Sequence, residues 1–385
     1  MTSWLADASG IALTVLGGAL VVALVVWVQL RLTVWWISRP LEYAAVHRLR
    51  APDGGRFELR RVASGAERTG SSASSVPLLL VHGICANHRN LDLDHDTSLA
   101  RAFAEQGRDV WLLTLRSGRP WRLAELCMPH GFERMVRYDT PLAIAKVLDL
   151  SGAPQLDYVG FSMGGMMLYA GLGRTIPPEQ VRRAVVVGSP GRIMPPRGVP
   201  RFLRWLPRLL VPRILTGTLG TWVAPAAEWL TTPAHRAIVN PANIASGTTR
   251  LALVDCVQDV SGPLIADFMY WATTDGVVRI RGENVLDGLH DVEVPVLFVA
   301  GEVDQLGPVD SVRKAYDAWG RDVDGLAKRW LVLGEPTGAL ERYGHGDLAV
   351  GCRVRTELFP HVQSFLEVGA DDPTSDADAP PPSSS

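Results

Sequence analysis

Residues 156–171 read LDYVGFSMGGMMLYAG. A short apolar, strand-like run ends at Phe161, and a run of Met, Leu, Tyr and Ala with helical composition starts at Met163. Between them stands G-x-S-x-G, with Gly160 and Gly164 on either side of Ser162. The glycines have a steric reason. A side chain presented on a sharp strand-to-helix turn sits on a strained backbone, and only residues without a Cβ let the two chains pass so closely. Ser162 then projects above the strand end. The start of the helix behind it favours developing negative charge.

Similar units repeat on both sides of this stretch. Apolar runs stand at 78–82, 110–115, 184–188, 296–300 and 330–333, and helical stretches at 97–107, 139–151, 163–174, 309–320 and 354–367. Short runs without alternation suit strands buried on both faces. Strand-helix alternation predicts an α/β fold, with a mostly parallel central sheet and helices on both faces. Residues 43–50 and 57–63, joined by Pro52-Asp53-Gly54-Gly55, predict an antiparallel hairpin ahead of it. Residues 64–75 read as a polar loop. The alternation fails across 191–290, which reads as short helices inserted over the strand ends as a cap. The expected organisation is an N-terminal segment 1–40, a core in two parts (41–190 and 291–368), the helical insertion 191–290, and an acidic, Pro/Ser-ended tail 369–385 without ordered structure.

Three further clusters carry chemistry. Val81-His82-Gly83-Ile84 ends an apolar run, and a loop there can supply a backbone N–H from Ile84 to an oxyanion. The second donor is the N–H of Met163, the residue after the nucleophile. His82 precedes the serine in the chain and is read as structural support, with Gly83, rather than as a base. Val299-Ala300-Gly301-Glu302-Val303-Asp304 places an acid on a loop after a strand. Asp304 is favoured over Glu302, nearer the strand, and over Asp310, which is expected to cap the next helix. Tyr343-Gly344-His345-Gly346-Asp347 places a histidine in a Gly-flanked loop after the last strand-like run. His345 is the expected base and Asp347 the support of its loop. Ser162, Asp304 and His345 follow one another as nucleophile, acid and base.

Over roughly 43–190 and 291–367 the chain resembles α/β-hydrolase-fold enzymes, and within them the lipase/esterase branch that includes acid lipases and polyhydroxyalkanoate synthases. The resemblance rests on VHGICANHRNLDLD with SLARAFAEQGRDVWLLTLRSG, on YVGFSMGGMMLYA, and on YGHGDLAVG with its trailing helix. It implies a Ser162–Asp304–His345 triad and an oxyanion hole at Ile84 and Met163. Leu115-Arg116-Ser117-Gly118 departs from the R-G-x-G-like turn of many relatives and is expected to affect the pocket rim. The synthases use cysteine as nucleophile, so Ser162 weighs against polymer synthesis. The expected function is a serine hydrolase cleaving carboxylic esters with an apolar or lipidic acyl group, without a metal or organic cofactor. An acyltransferase on the same fold and a non-catalytic, membrane-tethered binding scaffold are the alternatives.

Composition narrows the partners. With 38 basic against 40 acidic residues the net charge is −2, which gives no electrostatic footprint for nucleic acid. Apolar residues make up 47%, enough to exclude a mainly disordered chain, and their densest run is residues 8–30, which hold no charge. These 23 residues span about 34 Å as a helix, against about 30 Å for a bilayer core. Trp27, Trp35 and Trp36 suit an aromatic belt. A cleaved signal peptide is the competing reading; Asp7, the lack of Lys or Arg before the run, and the run's length oppose it. Arg31 and Arg39 follow the span, which predicts a single-pass membrane protein with its catalytic part in the cytoplasm.

The local clusters read more plainly. Cys85, Cys127, Cys256 and Cys352 show no metal-ligand spacing, and Cys85 reads as a small pocket-lining residue. His88, Asp92, Asp94, His95 and Asp96 fail the calcium-loop pattern, because Thr97 and Phe103 stand where Gly and Glu are needed. They read as a solvated loop with Asp96 or Thr97 capping the next helix. Arg192, Arg197, Arg201, Arg204, Arg208 and Arg213 alternate with apolar residues. This reads either as a cap with its arginines in water or as a lid lying against anionic lipid.

Overall fold

The computed structural model describes residues 2–63, 76–121, 130–194, 213–229 and 232–367. Eight strands form the main sheet: β1 (Ala45–Arg50), β2 (Arg56–Val62), β3 (Leu78–Val81), β4 (Val110–Thr114), β5 (Leu156–Phe161), β6 (Val181–Val187), β7 (Val296–Gly301) and β8 (Lys328–Leu333). Their order across the sheet is β1-β2-β4-β3-β5-β6-β7-β8. β2 runs antiparallel to both its neighbours, and from β4 to β8 every pairing is parallel. The hairpin at the edge and the parallel sheet behind it are those the sequence predicts.

Burial explains the patterning. At the edge, β1 alternates between half-buried and exposed residues, whereas β3, β4, β5 and β7 are buried at every position. Leu79 and Val81 point to one face with Trp111, Tyr158 and Phe298, and pack on the helices Thr140–Ser151, Met163–Gly171 and Val309–Ala318. Leu78 and Leu80 point to the other face with Val159 and Phe161, against the helices Leu99–Glu105 and Phe359–Glu367. Helices therefore cover both faces, and the strand ends are left for the site.

The local corrections have physical causes. The stretch 354–367 is two helices, Val354–Glu357 and Phe359–Glu367, with Pro360 in the first turn of the second. The helix after the His88–Asp96 loop is capped by Ser98, whose hydroxyl accepts from Arg101 N–H at 2.9 Å, and not by Asp96 or Thr97. Asp94 accepts instead from the Asp96 and Thr97 N–H groups. Helix Val309–Ala318 has Pro308 at its cap; Asp310 lies in its first turn and its side chain makes no cap. Arg116 does not rim a pocket. It is buried between Asp139, at 2.6 Å, and Asp53, at 2.6 Å, and ties the β1–β2 turn to the segment before the Thr140–Ser151 helix.

The segment between β6 and β7 contains, among the described residues, the helices Thr216–Val223, Pro233–Ile238 and Gly262–Thr273. Arg192 is exposed, as expected of an arginine in water; its backbone N–H donates to Ser311 Oγ and its Nε to the Asp275 carbonyl. Arg213 lies over the Trp121 ring. Arg197, Arg201, Arg204 and Arg208 lie outside the described residues, as do Cys127, the loop 64–75 and the tail 369–385.

The N-terminal helix runs from Thr2 to Ile37. Its stretch Leu13–Ile37 is 25 residues long, has mean hydropathy 2.3, is exposed over most of its length though Thr33 and Ile37 near its end are buried, and is long and apolar enough to cross a membrane. It touches the rest of the chain near its C-terminal end. Gln29 Nε2 donates to the Trp222 carbonyl at 3.2 Å, and Ser38 Oγ donates to Asp255 Oδ1 at 2.6 Å.

Candidate active site

Ser162 lies between β5 and the Met163–Gly171 helix, with φ 53° and ψ −117°. A positive φ at a residue with a side chain costs on the order of 1–3 kcal/mol and persists only where neighbours enforce it. They do so here through close packing. A Cβ on Gly160 would lie 2.5 Å from the Gly165 nitrogen, and one on Gly164 would collide with the Val81 carbonyl oxygen. The Ser162 N–H is held by the Val187 carbonyl at 2.8 Å, which ties the turn to the end of β6.

The three residues singled out in the sequence meet here from loops 41 to 183 residues apart. Ser162 Oγ lies 2.9 Å from His345 Nε2, and His345 Nδ1 lies 2.7 Å from Asp304 Oδ2. All three are buried. The carboxylate can only accept, so Nδ1 carries the proton and Nε2 is left to accept from the serine hydroxyl. Asp304 is itself fixed: its other oxygen, Oδ1, accepts from the Leu306 and Gly307 N–H groups, each at 2.8 Å. The rival acid Glu302 is turned away and engaged by Arg342 and the Glu335 N–H.

The HG loop comes up beside the serine. A Cβ on Gly83 would sit 3.1 Å from Ser162 Cβ. The Gly83 N–H donates to Asn90 Oδ1 at 3.1 Å, which gives the Asn of this loop a structural duty. The backbone N–H groups of Ile84 and Met163 have no protein acceptor among the described residues, so both are free to hold an oxyanion. His82 is not part of the relay. Its Nδ1 faces the Gly83 carbonyl at 2.7 Å and its Nε2 accepts from Leu115 N–H at 3.0 Å, which fixes one neutral tautomer. Burial pushes its pKa down to about 4. Cys85 adopts φ 56°, and burial pushes its thiol up to about 11, so it is not a ready nucleophile.

Asp347 holds the His345 loop from below. Fully buried, it accepts from the Gly344 N–H at 2.9 Å, the Asn240 N–H at 3.1 Å and Asn243 Nδ2 at 2.9 Å. Burial raises its pKa, against the pull of these hydrogen bonds. Asn240 and Asn243 are contributors that sequence reasoning missed. They sit in the irregular insertion with no motif around them, and nothing in their spacing pointed to a loop about a hundred residues away.

A strained serine, a histidine and a carboxylate in one hydrogen-bonded line, on this strand order, agree with the sequence profile of the α/β hydrolase fold, which matches residues 76–333. The chain belongs to the α/β hydrolase fold family. Among its relatives is the gastric triacylglycerol lipase of Homo sapiens, 31% identical over 121 residues, which cover 29% of this chain and 30% of the lipase. Another is the poly(3-hydroxyalkanoate) polymerase subunit PhaC of Haloferax mediterranei, 25% identical over 328 residues, or 77% of this chain and 60% of the subunit. The chain thus spans about a third of the lipase and three fifths of the polymerase subunit. Similar solved structures include a membrane phospholipase A, with TM-score 0.50 and 19% identity over 95% of this chain and 98% of that one. An esterase from Exiguobacterium antarcticum gives TM-score 0.51 and 16% identity over 83% and 99%. These two structural likenesses concern the fold.

Proposed function

We propose that this α/β hydrolase is a membrane-anchored serine hydrolase that cleaves carboxylic esters with an apolar acyl group, with residues 191–290 serving as the cap over its site. The single observation that carries the reading is the line from Ser162 Oγ through His345 to Asp304, 2.9 Å and 2.7 Å long. In the proposed reaction Ser162 Oγ bonds to the ester carbonyl carbon while His345 Nε2 takes its proton. The carbonyl oxygen becomes an oxyanion between the Ile84 and Met163 N–H groups. Its collapse breaks the bond to the alcohol, which leaves with the proton from His345. Water then repeats the sequence on the acyl-enzyme, with His345 again as base. Asp304 holds the histidine tautomer and stabilises its charged form.

The apolar preference and the membrane address are supported by surface chemistry near the insertion. Leu219, Trp222 and Trp229 are 59%, 53% and 84% exposed, more than isolated surface residues explain, and they belong to the segment that touches the N-terminal helix. The test is an ester panel in detergent, paired with a fluorophosphonate probe. Wild type is expected to hydrolyse and to label, and Ser162→Ala to do neither. Labelling that survives Ser162→Ala refutes the nucleophile, and a wild type that neither labels nor hydrolyses favours a binding scaffold. The PhaC relative, aligned over most of this chain, favours a second reading in which an alcohol replaces water. Adding an alcohol acceptor to the same assay and weighing ester product against free acid separates the two.

A further inference from the structure

The junction between the apolar helix and the hydrolase core encloses a cavity of about 300 Å³. Trp36, Arg39, Asp94, Ser246, Thr248 and Arg250 line it. None of them belongs to the Ser162 site. Two arginines therefore line one space. Neither has a carboxylate partner among the described residues: the Arg250 guanidinium lies over the Trp36 ring at 5.7 Å, and Glu228 meets Arg250 only through its backbone N–H. Asp94 is the acid of this lining, and it is already engaged by the Thr97 hydroxyl and the Asp96 and Thr97 N–H groups. The lining carries two positive charges against one negative, with the Ser246 and Thr248 hydroxyls beside them and a third, Ser38, committed to Asp255. That suits an anion of single charge with several acceptor oxygens.

The walls are held in place before any ligand arrives. Asp255 accepts from Ser38 Oγ at 2.6 Å and from the Arg39 N–H at 2.9 Å, and the buried Arg89 bridges Asp255, the Arg39 carbonyl and the Leu93 carbonyl. This clamp fixes the backbone of Arg39 relative to the core. A preformed site loses less on binding than one that must first be ordered.

Position supplies the source of the anion. The span Leu13–Ile37 is 25 residues long, about 37 Å, whereas a bilayer core is about 30 Å thick. Its last turn holds Trp35, Trp36 and Ile37, and the cavity begins there. Tryptophans favour the membrane interface, so the anchor reading puts the cavity mouth in the headgroup layer, where phosphodiesters are concentrated. We infer that this cavity binds the phosphate of a membrane phospholipid, held between Arg39 and Arg250 with Ser246 and Thr248 as further donors. The inference rests on the anchor reading above for the lipid source, and on the cavity alone for phosphate recognition.

The experiment uses the full chain carrying Ser162→Ala, in an uncharged detergent, so that no bound ester is consumed. Its melting temperature is followed against dihexanoylphosphatidylglycerol, dihexanoylglycerol and inorganic phosphate. The phospholipid is expected to stabilise the protein saturably, and the neutral diacylglycerol at least tenfold more weakly. Arg39→Ala and Arg250→Ala should each weaken phospholipid binding about tenfold, and Arg39→Lys with Arg250→Lys should recover part of it. Equal binding of phospholipid and diacylglycerol, or an Arg39→Ala/Arg250→Ala protein that binds like its parent, overturns the site. Inorganic phosphate that binds as tightly as the phospholipid overturns the lipid source. The same double substitution in a chain with Ser162 intact should keep its hydrolysis of a soluble short-chain ester. That measurement reads the proposed function separately, because loss of hydrolysis in wild type leaves the phosphate titration interpretable.

Discussion

Replacing Asp304 by asparagine tests the relay at its most constrained point. The structure dictates which way the new amide must face. Oδ1 of Asp304 accepts two backbone N–H groups, from Leu306 and Gly307, each at 2.8 Å. An NH2 group placed there would meet two donors and forfeit both bonds, at a cost of about 2–3 kcal/mol. The amide oxygen therefore stays on that side and the NH2 turns toward His345 Nδ1. A donor opposite Nδ1 demands that this nitrogen be bare, so the proton moves to Nε2, the atom 2.9 Å from Ser162 Oγ. The histidine then donates to the serine where it should accept. In triads of known role the same inversion lowers kcat by about 10⁴, or about 5.5 kcal/mol of barrier. The assay is steady-state hydrolysis of a soluble short-chain ester by purified wild type and Asp304→Asn, with urea unfolding of both. The expected result is a loss of 10³-fold or more in kcat at nearly unchanged KM and a small change in stability. Glu302 offers no rescue, since Arg342 and the Glu335 N–H hold it. A variant within tenfold of wild type refutes the assignment of Asp304 and the tautomer argument with it.

Three further outcomes follow from the geometry. Gly164→Ala drives a methyl into the Val81 carbonyl, which is backbone and cannot yield, so chemical denaturation should show a loss of at least about 3 kcal/mol or failure to fold; a neutral result would mean that the β3–elbow approach is looser than described. Arg116→Met takes the guanidinium away from the fully buried Asp139, while Asp53 keeps Arg134 and the Gly55 N–H; the expected cost is about 3–5 kcal/mol by urea unfolding, which a second change, Asp139→Leu, should partly recover. His82 titrates near 4 when folded against 6.5 as a free side chain, so the unfolded chain takes up the proton first. Its contribution to stability is complete above pH 6.5 and falls away between about pH 6.5 and 4, by about 3 kcal/mol. His82→Gln should flatten the unfolding free energy over that interval, and an unchanged slope would contradict the neutral tautomer.

The strands were legible where both faces are apolar and illegible where charge begins them. β6 reads from Ala184, but the sheet starts at Val181, because Arg182 and Arg183 look like loop residues. In the fold Arg182 pairs with the buried Asp157, and Arg183 donates to the Phe365 carbonyl. Lys328 conceals the start of β8 in the same way; its ammonium satisfies the Tyr316 and Trp319 carbonyls at the end of the preceding helix. Ser162, Asp304 and His345 could be singled out because each stands in a short loop just after an apolar run, a position with few other uses. Asn240 and Asn243 carried no such sign. Their role exists only through Asp347, and a contact across about a hundred residues leaves no periodicity to read.

Asp347 also limits how this hydrolase can be rebuilt. One carboxylate serves two masters, the Gly344 end of the base loop and the Asn240–Asn243 turn of the insertion. An exchange of residues 191–290 for the equivalent piece of another hydrolase would leave that buried carboxylate with fewer donors unless the new piece brings its own pair of amides. Modularity thus has a seam: substrate range can be changed by grafting only at the risk of shifting the histidine, and the boundary of a transferable unit falls where these hydrogen bonds end.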